Sequence, residues 1–195
     1  MGAVLALARE RGYVRPRDLA VLGVSRPQLA RLVRRGLLER VGYGLYRAPD
    51  APITEHHTLA QVAARAPGGV ACLLTALRFH GLTTQNPFEV WLAVGRQAAR
   101  PQLDGLPVRV VYFSGAAFVA GIEEHRVDNV RVRVYCPAKT VADCFKYRNK
   151  VGLDVALEAL RETWRARRAT MDDLWRYATI CRVANVMRPY LETLG

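Results

Sequence analysis

Between Ser25 and Gly36 the chain carries four arginines, Arg26, Arg31, Arg34 and Arg35, together with Gln28 and no acidic residue. In the same stretch Leu29, Leu32 and Val33 recur at helical spacing, Ser25 suits an N-cap, Pro27 is tolerated in a first turn and Gly36 can end the helix. Such a helix turns its leucines to one side and leaves Gln28, Arg31 and Arg35 on the other, with Arg34 at the flank and Arg26 near the start. A guanidinium can form paired hydrogen bonds to guanine and a carboxamide to adenine, and a cationic face draws phosphate. The bland alternative is a solvated surface face, but such faces normally mix both charge signs.

The neighbouring residues supply what such a helix needs around it. Pro16 suits the first turn of a preceding short helix that Gly23 closes, and Arg15 and Arg17 at its start are candidates for phosphate contact. After Gly36, strands over 37–41 and 45–47 joined through Gly42-Tyr43-Gly44 predict a hairpin. Arg40 and Tyr43, and with less force Arg47, could reach the backbone or the minor groove from it. A first helix stripe of Val4, Leu5 and Ala8 ends at Gly12. Helix, helix, turn, basic helix and hairpin is the order of a winged helix-turn-helix, whose second motif helix enters the major groove.

Charge and composition agree with this. The 195 residues carry 29 Lys+Arg against 17 Asp+Glu, a formal charge of +12. Residues 1–50 hold ten Arg against four acids, which is half of that excess. An apolar share of 51% excludes disorder as the main state. No stretch approaches the roughly 20 apolar residues of a membrane helix; 115–122 is the nearest. The apolar start lacks the basic region of a signal peptide. Cys72, Cys136, Cys144 and Cys181 are widely spaced, as suits reduced core thiols of a cytoplasmic protein.

The Pro-Asp-Ala-Pro stretch that ends at Pro52 predicts a boundary: a DNA-binding domain over 1–50 and a mixed α+β domain over 51–195. In the second part the patterns predict helices over 54–65 (capped by Thr54), 70–80, 138–147, 153–167 and 171–194. The last of these should be interrupted near Pro189. Strands are predicted over 89–94, 108–113 and 130–135, with a two-residue turn at Asp128-Asn129. Lys139 and Asp143 are spaced i,i+4 at a strand-to-helix junction, which could hold an anion or simply pack Val141, Cys144 and Phe145 into the core. Arg161, Arg165 and Arg168 form a basic stripe interleaved with Glu158 and Glu162, open to a phosphate, an acidic partner or solvent alone.

Several stretches resemble a known family. Arg11-Gly-Tyr-Val-Arg-Pro-Arg-Asp-Leu19 and Leu29-Ala-Arg-Leu-Val-Arg-Arg-Gly-Leu-Leu-Glu-Arg-Val-Gly-Tyr-Gly-Leu-Tyr-Arg-Ala-Pro49 look like the N-terminal domain of AbiEi-type antitoxins of type IV toxin–antitoxin systems. Thr75-Ala-Leu-Arg-Phe-His-Gly-Leu82, Val90-Trp-Leu-Ala-Val94 and Cys136-Pro-Ala-Lys-Thr-Val-Ala-Asp-Cys-Phe145 resemble its C-terminal region in order and spacing, while 171–195 has little counterpart. The resemblance implies a DNA-binding repressor of its own promoter that neutralises a nucleotidyltransferase-like toxin in phage defence. Two protomers on paired half-sites are expected. A solitary regulator without a toxin, a protein-interaction module and, last, a nuclease are the alternatives.

An enzyme is not expected. The chain has no Glu-x-Lys nuclease signature, no Asp-x-Asp or Asp-x-Glu pair, no phosphate loop and no Gly-x-Ser-x-Gly elbow. Ser25 and Ser114 are its only serines. His56 and His57 cannot share one helix face, and His80 and His125 are distant, so no zinc site is defined and no cofactor is expected.

Overall fold

Val4 and Ala8, one helical turn apart, are the buried side of α1 (Gly2–Arg11), and Gly12 ends it with a φ of +71°. The computed structural model describes residues 2–42, 44–51 and 54–194. The chain divides into two units. Met1–Pro67, Pro101–Leu106 and His125–Val132 make the first; Gly68–Arg100, Pro107–Glu124 and Arg133–Gly195 make the second. Both helices and a mixed sheet are present, so the protein is α+β.

In the first unit α1 is followed by α2 (Pro16–Ala20), α3 (Arg26–Arg34), the antiparallel pair β1 (Glu39–Gly42) and β2 (Leu45–Arg47), and α4 (His57–Arg65). Val4, Ala8, Val14, Leu19, Leu29, Leu32, Leu38 and Ala48 form one core, which uses the leucines of α3 as their spacing requires. Val14 exchanges backbone hydrogen bonds with Tyr46 at 2.8 and 3.0 Å and so adds a one-residue bridge beside β2. The helix expected over 54–65 starts later. Thr54 Oγ1 accepts from the His56 amide, and residues 54–56 are a turn rather than helix.

The segment His125–Val132 is the tip of a hairpin built from β6 (Ile122–Val127) and β7 (Val130–Tyr135). Asp128 and Asn129, with φ of +46° and +63°, make its turn, as expected for a two-residue hairpin loop. This tip closes the end of α1: Asn129 Nδ2 donates to the Arg9 carbonyl at 2.8 Å and Arg126 to that of Glu10 at 2.6 Å. Both acceptors belong to the last helical turn, where carbonyls lack helical partners. Burial and the nearby Asp128 carboxylate push the Tyr13 phenol up to about 12, and its hydroxyl lies 2.7 Å from His57 Nδ1.

The second unit is organised by the sheet order β5-β4-β3-β7-β6, with β3 (Val70–Ala71), β4 (Val90–Gly95) and β5 (Val108–Phe113) added to the hairpin strands. Strand β4 runs parallel to β5 and antiparallel to β3, and β3 runs parallel to β7. The apolar run Val90-Trp-Leu-Ala-Val94 is buried throughout, as an inner strand requires. The helix expected over 70–80 is instead β3 and then α5 (Leu73–His80), because Cys72 is extended and breaks the continuity.

Short α6 (Ala116–Val119) precedes β6; α7 (Pro137–Lys146), α8 (Arg148–Val151), α9 (Leu153–Arg165), α10 (Met171–Ile180) and α11 (Ala184–Leu191) follow β7. The break expected near Pro189 falls instead at 181–183. Arg182 turns left-handed at φ +58° and the Val183 amide closes onto the Ala178 carbonyl at 2.8 Å, an ordinary helix stop. Pro189 lies inside α11, where it forfeits one backbone bond without ending the helix. Among the described residues no helix is long and apolar enough to cross a membrane.

Candidate nucleic-acid interface

Helix α3 is fixed at its start by a capping box. Ser25 Oγ accepts from the Gln28 amide at 3.4 Å, and Gln28 Oε1 accepts from the Ser25 amide at 2.8 Å. Replacing Ser25 with Ala should therefore cost about 1 kcal/mol, read as a lower urea midpoint at unchanged slope. Arg31, Arg34 and the C-cap residue Arg35 lie toward the other end, where the carbonyl-rich helix terminus favours cations.

The leucines and arginines separate as the spacing requires. Leu29 and Leu32 are buried and Val33 half-buried, while Arg26, Gln28, Arg31, Arg34 and Arg35 are all exposed. Gln28 differs in one respect from its expectation. Its amide oxygen already accepts the capping-box bond, so a two-bond match to adenine would have to use that oxygen's second lone pair.

Arg15 precedes α2 and is half-buried; Arg17 is exposed on it. Asp18 reaches back to accept from the Arg15 amide at 2.8 Å and fixes this turn. Burial, followed by the like charges of Arg17 and Arg65, lowers the Arg15 guanidinium below its ordinary value; Asp18 opposes the shift. Arg15, Arg17 and Arg26 line one cleft of about 550 Å³, floored by Leu29 and Val24 and bordered by Gly44. Two separate parts of the sequence thus bring three guanidinium-bearing residues to one groove.

On the hairpin, Arg40 is exposed and its Nε donates to the Gly42 carbonyl at a long 3.4 Å. Tyr43 lies outside the described residues. Arg47 is buried and paired with Glu39 at 2.7 Å, so it ties β2 to β1 rather than facing a ligand. Arg65 was missed by sequence reasoning. It stands on α4, beyond the basic segment, and its guanidinium occupies the space beside Gly42 that a side chain at that position would need.

A second cluster of charged groups lies in the other unit. Lys139 and Asp143 of α7 are both buried, with Nζ 2.6 and 2.7 Å from the two carboxylate oxygens. Nζ also stands 4.1 Å from the centroid of the Tyr135 ring and 4.9 Å from that of Phe113. Burial pushes the Asp143 carboxyl up to about 6 even though Lys139 pulls it down, and the Cys181 thiol donates to it at 3.3 Å. The junction packs Val141, Cys144 and Phe145 into the core, with all residues from Pro137 to Phe145 buried. Burial likewise raises the Cys72 and Cys144 thiols, which disfavours the reactive thiolate. Among the described residues no three His, Cys, Asp or Glu side chains are grouped to hold a metal ion.

Residues 3–49 match the model of a family of transcriptional regulators. The family they match is described as "Transcriptional regulator, AbiEi antitoxin", which bears out over this segment the resemblance read from the sequence. No curated protein matches the chain in sequence. In fold, the chain is similar to the crystal structure of the Rv2827c protein from Mycobacterium tuberculosis. The TM-score is 0.64 at 16% identity, covering 99% of this chain and 76% of that one.

Proposed function

We propose that the protein is an AbiEi-like repressor that binds the promoter of its own gene through residues 1–50, as a winged helix-turn-helix. The observation that carries this reading is the exposed, acid-free arginine face of α3 beside the cleft that gathers Arg15, Arg17 and Arg26. In this reading α2 and α3 are the helix-turn-helix, β1 and β2 the wing, and the bridge from Val14 to Tyr46 a third short strand. Arg31 reads bases from the major groove, with the Gln28 amide N–H groups beside it and Arg26, Arg34 and Arg35 around them. Arg15, Arg17, Arg40 and Tyr43 hold the backbone of the duplex.

The remaining residues, 51–195, serve a partner. The family resemblance supplies its identity, a nucleotidyltransferase-like toxin encoded nearby, and the reading places both in the cytoplasm, with two protomers on paired half-sites. A neighbouring reading frame with Gly-Ser and Asp-x-Asp motifs would support the antitoxin role; its absence would favour a solitary regulator.

The DNA reading is tested by gel shift of the full chain on the DNA upstream of its own gene. With about five or six phosphates neutralised per protomer, the log of affinity should fall with the log of salt at a slope of about −5. Arg31→Ala should cost about ten-fold or more on this DNA and little on an unrelated duplex. A slope near zero would remove the electrostatic account, and unchanged discrimination in Arg31→Ala would remove the role of α3.

A further inference from the structure

A second cleft, of about 280 Å³, is lined by Arg15, Gly44, Arg65, Gln102 and Asp104. It shares Arg15 and Gly44 with the cleft that holds Arg17 and Arg26. Arg65 and residues 101–106 belong to the same unit as α3 but lie outside the segment that matches the regulator family. The Arg65 side chain is held from two sides: one terminal nitrogen donates to the Asp104 carbonyl at 2.8 Å, and the other lies against Gly42 at the end of β1, beside the wing turn. Its Nε is buried and has no hydrogen-bond partner among the described residues.

Arg15 experiences Arg65 and Arg17 as like charges, with Asp18 as the acidic group that opposes them. Gathering cations costs energy unless an anion is brought to them. The partner of the neighbouring cleft is a phosphodiester backbone, and the two clefts meet at Arg15. Asp104 at the rim works against a phosphate, and only its carbonyl is committed to Arg65.

From this geometry we infer that Arg65 and the 101–106 loop extend the DNA-binding surface: Arg26, Arg17, Arg15 and Arg65 form one track beside the wing that takes consecutive phosphates of a duplex. The inference rests on the DNA-binding reading above and adds to it a contact from a distant part of the chain. Arg65 also holds the wing turn in place through Gly42. A phosphate contact positions without specifying, so Arg65 should strengthen binding to any duplex sequence alike, unlike Arg31.

The experiment is a salt titration of binding by the full chain, on the upstream DNA and on an unrelated duplex of equal length. Arg65→Gln should weaken both about equally, by about ten-fold at moderate salt, and reduce the salt slope by about one. Because that variant could also loosen the wing, Gln102→Arg is made beside it. A new guanidinium at the rim should tighten both complexes and steepen the slope by about one, a gain that a damaged fold cannot produce. Unchanged slopes in both variants, with the wild type bound, would overturn the extension and leave the α3 interface standing. A wild type that binds neither duplex would overturn the DNA reading and this inference with it.

Discussion

Lys139→Met should destabilise the protein by about 3–5 kcal/mol at pH 7.5, the cost of leaving a buried charge without its partner. Proton linkage gives that cost its pH dependence. With Lys139 gone, Asp143 stays neutral in the folded state, while the unfolded chain releases its proton near the ordinary value of 3.8. Holding that proton costs about 1.4 kcal/mol per pH unit, and because the wild-type carboxyl ionises at about 6, the variant falls behind by about 2 kcal/mol between there and pH 7.5. A carboxyl whose folded value is raised loses stability as pH rises above the unfolded value, so the penalty should shrink by about 2 kcal/mol between pH 7.5 and pH 4.5. Urea unfolding at the two pH values checks the sign. Lys139→Met/Asp143→Leu should recover most of the loss at pH 7.5, since apolar replacements of buried ion pairs are often neutral or better. A single variant as stable as wild type at pH 7.5 would show that the pair is not ionic.

Gly12→Ala should cost about 3 kcal/mol, and Gly36→Ala only about 1 kcal/mol, although both glycines are left-handed at nearly the same φ, +71° and +68°. At Gly36 nothing lies within 4 Å of an added Cβ, so the cost is conformational alone. At Gly12 the added carbon would strike the backbone carbonyl of Asp128, and a backbone cannot swing aside as a side chain can. The hairpin tip would have to move, and with it the bonds from Asn129 and Arg126 to the last turn of α1. Thermal or urea unfolding of both variants separates the two costs; equal losses would mean that the tip yields freely.

The α3 element was legible because several local signals agree. Ser25, Pro27 and Gly36 mark its ends and the leucines its buried side, all within twelve residues. Strands β4, β5 and β7 were legible as apolar or alternating runs. Strand β6 was not, since its sequence Ile-Glu-Glu-His-Arg-Val is mostly polar and buries little. Strand β3 has only two residues and merged with the helix signal that follows it. The misplaced break in the last helical stretch came from reading proline as the stronger stop, whereas the stop is made by Arg182 in a left-handed turn.

In the candidate interface the exposed arginines of α3 were readable from periodicity, because an amphipathic helix sorts its own faces. The engagement of Gln28 in the cap was also within reach, since Ser at N-cap with Gln three residues on is the capping-box pattern. Arg65 was not readable. Its relation to Gly42 and Arg15 depends on a tertiary contact across more than twenty residues of chain, and its surrounding sequence is that of an ordinary helix.

The hairpin tip over His125–Val132 also sets an order of events during synthesis. Residues 1–50 contain every proposed base-reading side chain, yet the end of α1 acquires its partners only when Arg126 and Asn129 have been made. At about 5–20 residues per second, several seconds of translation separate the two. A nascent or prematurely terminated chain would carry the arginine helix without its full support. The ribosome must pass residue 132 before the first unit can close.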